Sequence, residues 1–174
     1  MEKKLQDLLK EAIEMEEKGY KFYQEASKKA KDEVVRKTFD FLANNEILHI
    51  ESIKELYNTL KDKGELPQIE LEDKKRQRMK DLSIFSKGIK ELSEKIKPDD
   101  DDIKTCEFAM EFENNGYKYY EKMLKEAKDE NLIKLLKFLL QEEKEHYESI
   151  MNLHTYITDS ANWYMYEEGS FPQG

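Results

Sequence analysis

The chain has little of what builds disulfide-rich, loop-rich or membrane-spanning proteins. Its 174 residues include one cysteine, three prolines and six glycines. A single cysteine, Cys106, can form neither an internal disulfide nor a Cys-x-x-Cys metal knuckle. Because proline and glycine are the residues that interrupt helices, their scarcity beside abundant Glu, Lys and Leu favours an all-α protein.

Long apolar runs and basic patches are also absent. No apolar run approaches the roughly 20 residues that a helix needs to cross a bilayer. The first 18 residues carry acidic side chains where a secretory signal would have its apolar stretch. A net charge of −9, spread along the chain, would repel nucleic-acid phosphates and anionic lipid heads. We therefore expect a cytoplasmic protein with no nucleic-acid or membrane partner.

Apolar residues recur at three- and four-residue steps in four segments, as in amphipathic helices. The pattern predicts helices over 2–30, 33–62, 102–129 and 131–160. The linker between the first and second helices, like that between the third and fourth, is too short for any arrangement other than an antiparallel hairpin. The chain fits a single domain, 1–174, whose parts are hairpin 1 (2–62), a crossover (63–101) with a short helix near 80–97, hairpin 2 (102–160) and a C-terminal tail (161–174).

Two hairpins joined by a long crossover form one of the standard connectivities of a four-helix bundle, the ferritin-like one. The acidic run 99–102 is expected to cap the third helix, because carboxylates favour the positive end of a helix dipole. The sequence therefore predicts an all-α, ferritin-like four-helix bundle.

The two halves repeat one set of polar residues with unchanged spacing. Glu16, Tyr23 and the pair Glu46-x-x-His49 interrupt apolar stripes in the first half. The same residue types recur 97 positions later, as Glu113, Tyr120, Glu143 and His146. Residues 12–23 and 109–120 agree at seven of twelve positions. This pattern indicates an internal duplication whose two half-sites combine into one two-fold site.

A charged group on a core-facing stripe is costly unless it is paired or binds a metal. Residues three apart on a helix share a face, so each Glu-x-x-His pair can bind one ion. Four carboxylates balance two divalent ions, and oxygen-rich ligands with one imidazole per ion suit iron or manganese better than zinc. The predicted ligands are Glu16 and Glu113 as terminal ligands, Glu46 and Glu143 as bridges, and His49 and His146.

Four tyrosines on the first and third helices are candidates to hydrogen-bond the ligand carboxylates. Tyr23 and Tyr120 stand two turns after the terminal glutamates and share their face. Tyr20 and Tyr117 lie one turn closer, and the sequence leaves open which of the tyrosines touch the ligands.

Other residues on these helices have more specific or simpler interpretations. Asn45 and Glu142 directly precede the bridging glutamates, and each could receive the spare imidazole N–H of the histidine from the opposite half. Gly19 and Gly116 provide close packing or room beside the metals. His154 has no Glu partner at the matching spacing and is interpreted as an ordinary residue, as is Cys106, a small buried apolar one.

The ligand pattern resembles the rubrerythrin branch of the ferritin-like superfamily one for one, over the four helices. The resemblance implies a four-helix bundle, a di-iron centre and reduction of hydrogen peroxide to water. Typical members also carry a rubredoxin domain with a four-cysteine iron site, which this chain lacks, so electrons would come from a separate rubredoxin-like protein. Well-known members have a seventh carboxylate where this chain has Gly116. The remaining six-ligand set also resembles bacterioferritin and other ferritin-like oxidases.

Three functions follow as hypotheses. The first is an oxidoreductase, a peroxidase with two iron ions. The second is an iron-binding ferroxidase that uses dioxygen, and the third is dismutation of peroxide at a manganese centre. Each hairpin supplies half of the ligands, so exchange of hairpins through the crossover would rebuild the site between subunits. We expect a homodimer, either hairpin-swapped or not.

Overall fold

The computed structural model describes residues 2–67 and 100–159, which form four α-helices and, within those ranges, no strand. The helices are α1 (Glu2–Lys29), α2 (Glu33–Lys63), α3 (Asp100–Glu126) and α4 (Glu130–Thr158). The prediction of an all-α bundle is confirmed. The short helix predicted near 80–97 and the tail 161–174 lie outside the described residues.

The duplication extends to the way in which α2 and α4 begin. The Asp32 carboxylate accepts hydrogen bonds from the backbone amides of Val34 and Val35, at 2.7 and 3.1 Å. Asp129, 97 positions later, caps α4 through the two equivalent amides. Such caps satisfy amides that have no partner within the helix. At its other end α2 stops at Gly64, whose φ of 71° is the left-handed conformation that glycine adopts without strain.

The third helix is shifted from its predicted position. It begins at Asp100, so Asp101 and Asp102 lie inside its first turn, where carboxylates still favour the positive end of the helix dipole. It ends at Glu126 and not at 129, because Asp129 is the N-cap of α4 and has non-helical backbone angles.

Two apolar clusters fill the bundle, one toward each end. One cluster contains residues from the N-terminal halves of α1 and α4 and from the C-terminal halves of α2 and α3. The other contains residues from the C-terminal halves of α1 and α4 and from the N-terminal halves of α2 and α3. Helices α1 and α4 therefore run one way and α2 and α3 the other. Packed pairs are α1 with α2, α3 with α4, α2 with α4 and α1 with α3, and all four are antiparallel. The C-termini of α2 and α3 lie at the same end of the bundle, so the N-terminus of α3 lies at the opposite end. The connection from α2 to α3 must therefore cover the length of the bundle.

The outward faces of the helices are charged. Pairs such as Lys4–Glu126 and Lys125–Glu121, at 2.8 and 2.9 Å, lie on the surface, where ion pairs contribute about 0–1 kcal/mol each. Within the described residues, no helix contains the long, nearly uncharged apolar stretch that would let it span a lipid bilayer. Stability therefore rests mainly on the two apolar clusters and not on the surface charge.

Candidate metal centre

A layer of buried polar side chains separates the two apolar clusters at the middle of the bundle. All four helices contribute to it, and every member is at most 3 % exposed. The layer contains the six predicted ligands, Glu16 from α1, Glu46 and His49 from α2, Glu113 from α3, and Glu143 and His146 from α4. The structure thus brings together residues that are up to 130 positions apart in the sequence.

The Glu46 carboxylate lies between the two imidazoles. Its Oε2 is 3.7 Å from Nδ1 of His49, and its Oε1 is 3.5 Å from Nδ1 of His146. Each histidine also meets one terminal carboxylate, His49 at 3.3 Å from Glu16 and His146 at 3.5 Å from Glu113. A carboxylate with one oxygen toward each half is placed as a bridge between two ions would be.

Two groups of ligand atoms are close enough for one ion each. Atoms of Glu16, His49 and Glu143 lie within 4.8 Å of one another, and so do atoms of the remaining three ligands. Among the predicted ligands, Glu46 Oε2, Glu113 Oε2, His146 Nδ1 and His49 Nε2 are buried without a hydrogen-bond partner. Buried polar atoms without partners are costly, and bound cations would provide partners for the carboxylate oxygens and for His146 Nδ1. The oxygen-rich donor set therefore fits divalent metal ions of the iron or manganese type.

The two buried tyrosines link the halves reciprocally. The Tyr23 hydroxyl, on α1, donates a hydrogen bond to Glu113, on α3. The Tyr120 hydroxyl, on α3, donates one to Glu16, on α1. Burial, together with the adjacent carboxylates, raises the pKa of both phenols well above the usual value, so both remain protonated donors. Each hydroxyl holds a carboxylate that belongs to the other half of the sequence.

The other predicted partners of the ligands lie at different distances. The Asn45 amide is 3.3 Å from Nε2 of His146, and a Glu142 oxygen is 3.8 Å from Nε2 of His49. Both face the histidine of the opposite half and leave Nδ1 directed at the ligand carboxylates. Tyr20 is half-buried and accepts a hydrogen bond from Gln24. Tyr117 lines a cavity beside two ligands.

The carboxylates and imidazoles of the layer share protons. Burial, reinforced by the neighbouring Glu46 carboxylate, raises the pKa of Glu16 to about 8. Burial and the charges of neighbouring carboxylates also raise the pKa of Glu143. Burial alone would raise the pKa of Glu46, but the adjacent Glu16 and both imidazoles favour its ionised form, outweigh the burial and lower the pKa.

The neighbouring carboxylates also change the pKa values of the two imidazoles. Burial opposes the charged form of His146, but Glu113 and Glu46 overcome this and raise its pKa to about 9. The pKa of His49 is raised well above 6.5 in the same way, chiefly by Glu16. In the absence of metal the layer therefore retains protons at neutral pH, which reduce its excess of negative charge.

Both predicted packing glycines lie beside the glutamates that are predicted to bridge the ions, Glu46 and Glu143. A Cβ added at Gly116 would collide with the Glu143 carboxylate. A Cβ at Gly19 would lie 2.8 Å from the ring of Phe112 and 3.4 Å from the Glu46 carboxyl carbon. Gly116 thus leaves room for the layer itself, and Gly19 chiefly permits close packing of the Phe112 ring, in agreement with the sequence interpretation.

A cavity of about 340 Å³ between α3 and α4 reaches the layer from the surface. Its lining includes the predicted ligands Glu113 and Glu143. The remaining lining residues are Asn114, Tyr117, Lys144, Tyr147, Glu148 and Met151. Of these, only Tyr117 was among the sequence candidates. Three of the other lining residues stand at positions where the two halves of the sequence differ, and this difference could have identified them. Lys144, Tyr147 and Met151 occupy the positions that correspond to Ile47, Ile50 and Lys54.

Comparison with known proteins gives one match. A family model described as Rubrerythrin matches residues 7–154, which include all four helices in large part and the whole polar layer. No curated protein and no solved structure matches the chain.

Proposed function

The chain belongs to the rubrerythrin family, and from this premise we propose that it is a di-iron peroxidase. It would reduce hydrogen peroxide to water with electrons from a separate redox protein, such as a rubredoxin-like one. The proposal rests on one observation, the buried layer in which four carboxylates converge on two imidazoles. Four negative charges balance two divalent ions, whereas without metal such a layer is electrostatically unfavourable.

The residues would divide the work as follows. Glu46 and Glu143 would bridge two ions, with Glu16 and His49 on one and Glu113 and His146 on the other. When bound, a ferrous pair supplies one electron from each ion for the two-electron reduction of peroxide.

The rest of the layer holds these ligands in place. Tyr23 and Tyr120 orient the terminal carboxylates through their hydroxyls. Asn45 hydrogen-bonds the outer nitrogen of His146, and Glu142 lies 3.8 Å from the outer nitrogen of His49. The apolar clusters on either side exclude bulk water, so the field of the carboxylates acts on the ligands with little screening.

One observation favours a second candidate. Gly116 leaves the centre with six ligands, and the space beside it is taken by the Glu143 carboxylate. A six-ligand set is the one that resembles ferritin-like oxidases, which oxidise ferrous iron with dioxygen. Manganese in the same ligands would give peroxide dismutation instead. The metal and the oxidant must therefore be determined together.

The test is anaerobic loading with ferrous iron, followed by stopped-flow absorbance with hydrogen peroxide and with dioxygen. We expect two irons per chain and oxidation by peroxide that is faster by orders of magnitude. Equal rates with dioxygen would establish the ferroxidase instead. Failure to bind iron while binding manganese would favour the dismutase.

A matched pair of histidine variants controls this experiment. His146→Ala removes a predicted ligand, whereas His154→Ala removes a histidine on the same helix whose Nε2 lies 3.7 Å from Glu107, outside the layer. We expect loss of bound iron in the first variant and wild-type loading in the second. Equal loading in both would contradict the assignment of the ligands.

The homodimer remains a proposal as well. The ligands of one chain can meet within that chain, so a dimer is not needed to complete the site. Light scattering at several protein concentrations tests it, and a monomer mass throughout would contradict it.

A further inference from the structure

The cavity between α3 and α4 breaks the two-fold symmetry of the duplicated chain. On the other hairpin, Lys54 and Glu17 form an ion pair of 2.8 Å across α1 and α2. Their counterparts beside the cavity are Met151 and Asn114, which cannot form such a pair. The surface of the second hairpin beside Glu143 therefore lacks the ion pair that links the two helices of the first hairpin beside Glu46.

Phe112 adds to this difference. Its ring lies against Gly19, next to the Glu46 carboxylate, on the side of the first hairpin. Its counterpart in the repeat, Met15, instead packs against one of the apolar clusters. A side chain of another residue therefore covers the glycine beside Glu46, while the three atoms nearest a Cβ at Gly116 all belong to the Glu143 carboxylate.

Part of the cavity wall is apolar and exposed. Within the described residues, four large hydrophobic side chains are exposed, and three of them line this cavity: Tyr117 at 38 %, Tyr147 at 37 % and Met151 at 43 %. Exposed apolar groups that gather around one concavity mark a ligand site more often than scattered ones do. At the rim Lys144 and Glu148 pair at 3.7 Å, so the rim itself carries no net charge.

The volume is larger than hydrogen peroxide requires. Water takes about 30 Å³ in the liquid, and peroxide is not much larger, whereas the cavity offers about 340 Å³. That volume is at the lower end of the range for pockets that bind small organic molecules. An uncharged ligand with a hydrocarbon body would contact the tyrosines and Met151 and place its polar end at Glu113 and Glu143.

We propose that the cavity binds small organic hydroperoxides and presents their O–O group to the metal centre. This inference rests on the proposed peroxidase function and extends its substrate class. The O–O bond of ROOH breaks, two electrons from the loaded centre and two protons from solvent are taken up, and the products are ROH and water. A separate electron-transfer protein returns the two electrons. The hydrocarbon part, R, occupies the space between Tyr117, Tyr147 and Met151.

The first test needs no metal. The probe is 2-phenyl-2-propanol, the alcohol formed from cumene hydroperoxide, and its binding to the metal-free protein is followed by ligand-observed NMR. The double variant N114E/M151K copies the Glu17–Lys54 pair onto the cavity, and E17N/K54M removes that pair from the other hairpin as a matched control. We expect binding to wild type and to the control, and a loss of about tenfold or more in N114E/M151K, because an excluded hydrocarbon contact is worth that much.

The second test uses the iron-loaded, reduced protein. Rates of oxidation by cumene hydroperoxide and by hydrogen peroxide are compared in the same three proteins, after circular dichroism has shown that each is folded. We expect N114E/M151K to slow cumene hydroperoxide by about tenfold or more relative to hydrogen peroxide, with no such change in the control.

The outcomes separate the two proposals. Oxidation by hydrogen peroxide alone, without binding of the alcohol, would overturn the organic hydroperoxide inference and leave the peroxidase proposal standing. No oxidation by either peroxide would overturn the peroxidase and the inference with it. Equal slowing of both peroxides in N114E/M151K would show a general entrance and overturn the substrate class proposed here.

Discussion

Tyr23 and Tyr120 matter at the scale of single residues because each buried hydroxyl serves a carboxylate of the other half. We expect Tyr23→Phe and Tyr120→Phe each to lower metal affinity about tenfold, since outer partners of ligands typically contribute 10–100-fold. Competition with a chelator of known affinity measures this.

Tyr119→Phe is the control for those variants. Its hydroxyl donates to the Leu8 carbonyl at 2.9 Å, away from the metal layer. Its loss should cost about 1 kcal/mol of stability without changing metal affinity. Weaker metal binding in this variant as well would show that the tyrosines act through general packing.

Gly116 provides a second prediction at this scale. Gly116→Ala adds a Cβ that collides with the Glu143 carboxylate, so the carboxylate must move although alanine itself favours the helix by about 1 kcal/mol. We expect metal affinity to fall about tenfold, the lower end of the effect of disturbed ligand support. Chelator competition measures it, with the neighbouring exposed Asn115→Ala as control. Unchanged affinity in Gly116→Ala would show that the space beside Glu143 is not needed.

The helix caps are best considered at the scale of elements. Asp32 and Asp129 begin the second helix of each hairpin with the same pair of hydrogen bonds. We expect Asp32→Ala and Asp129→Ala each to cost about 1 kcal/mol in the free energy of unfolding, measured with urea. The cost should be greater at Asp32, which is 4 % exposed, than at the exposed Asp129. Equal stability of both variants and wild type would contradict the capping role.

At the scale of the whole molecule, the polar layer couples stability to pH. Folding raises the pKa of Glu16 from 4.5 to about 8 and that of His146 from 6.5 to about 9. A raised pKa stabilises the folded state at low pH, and this contribution is lost as pH rises through the folded value. The lowered pKa of Glu46 contributes stability that is lost as the pH falls, but only below pH 4.5, where Glu16 and His146 have no effect on the pH dependence.

We therefore expect the metal-free protein to lose stability between pH 4.5 and about 9, in urea unfolding with chelator present. Metal binding displaces the shared protons and stabilises the folded state by mass action, so the difference between loaded and metal-free protein should widen as pH rises. The double variant Glu16→Gln/His146→Gln should show a flatter metal-free profile. A metal-free protein that becomes more stable toward pH 9 would contradict the assigned direction of these shifts.

The sequence by itself determined the elements and the inventory of the site. Helical periodicity predicted all four helices to within a few residues, because an amphipathic stripe must face a core whatever its neighbours are. Exact repetition of Glu16, Tyr23, Glu46 and His49 identified the polar layer, since charged groups on apolar stripes require partners. The end of α3 was predicted too late because Asp129, which is the N-cap of α4, was assigned to the preceding helix.

The tertiary structure alone decided which residues meet across the bundle. Tyr23 rather than Tyr20 contacts a ligand, and that ligand is Glu113 of the other half, because the packing of α1 on α3 brings these two side chains together. The cavity also escaped prediction. A duplicated sequence indicates two equivalent faces, and only the packing of Phe112 and the exposure of Met151 show that one face is covered and the other open. Such contacts depend on the relative positions of helices, which no local pattern encodes.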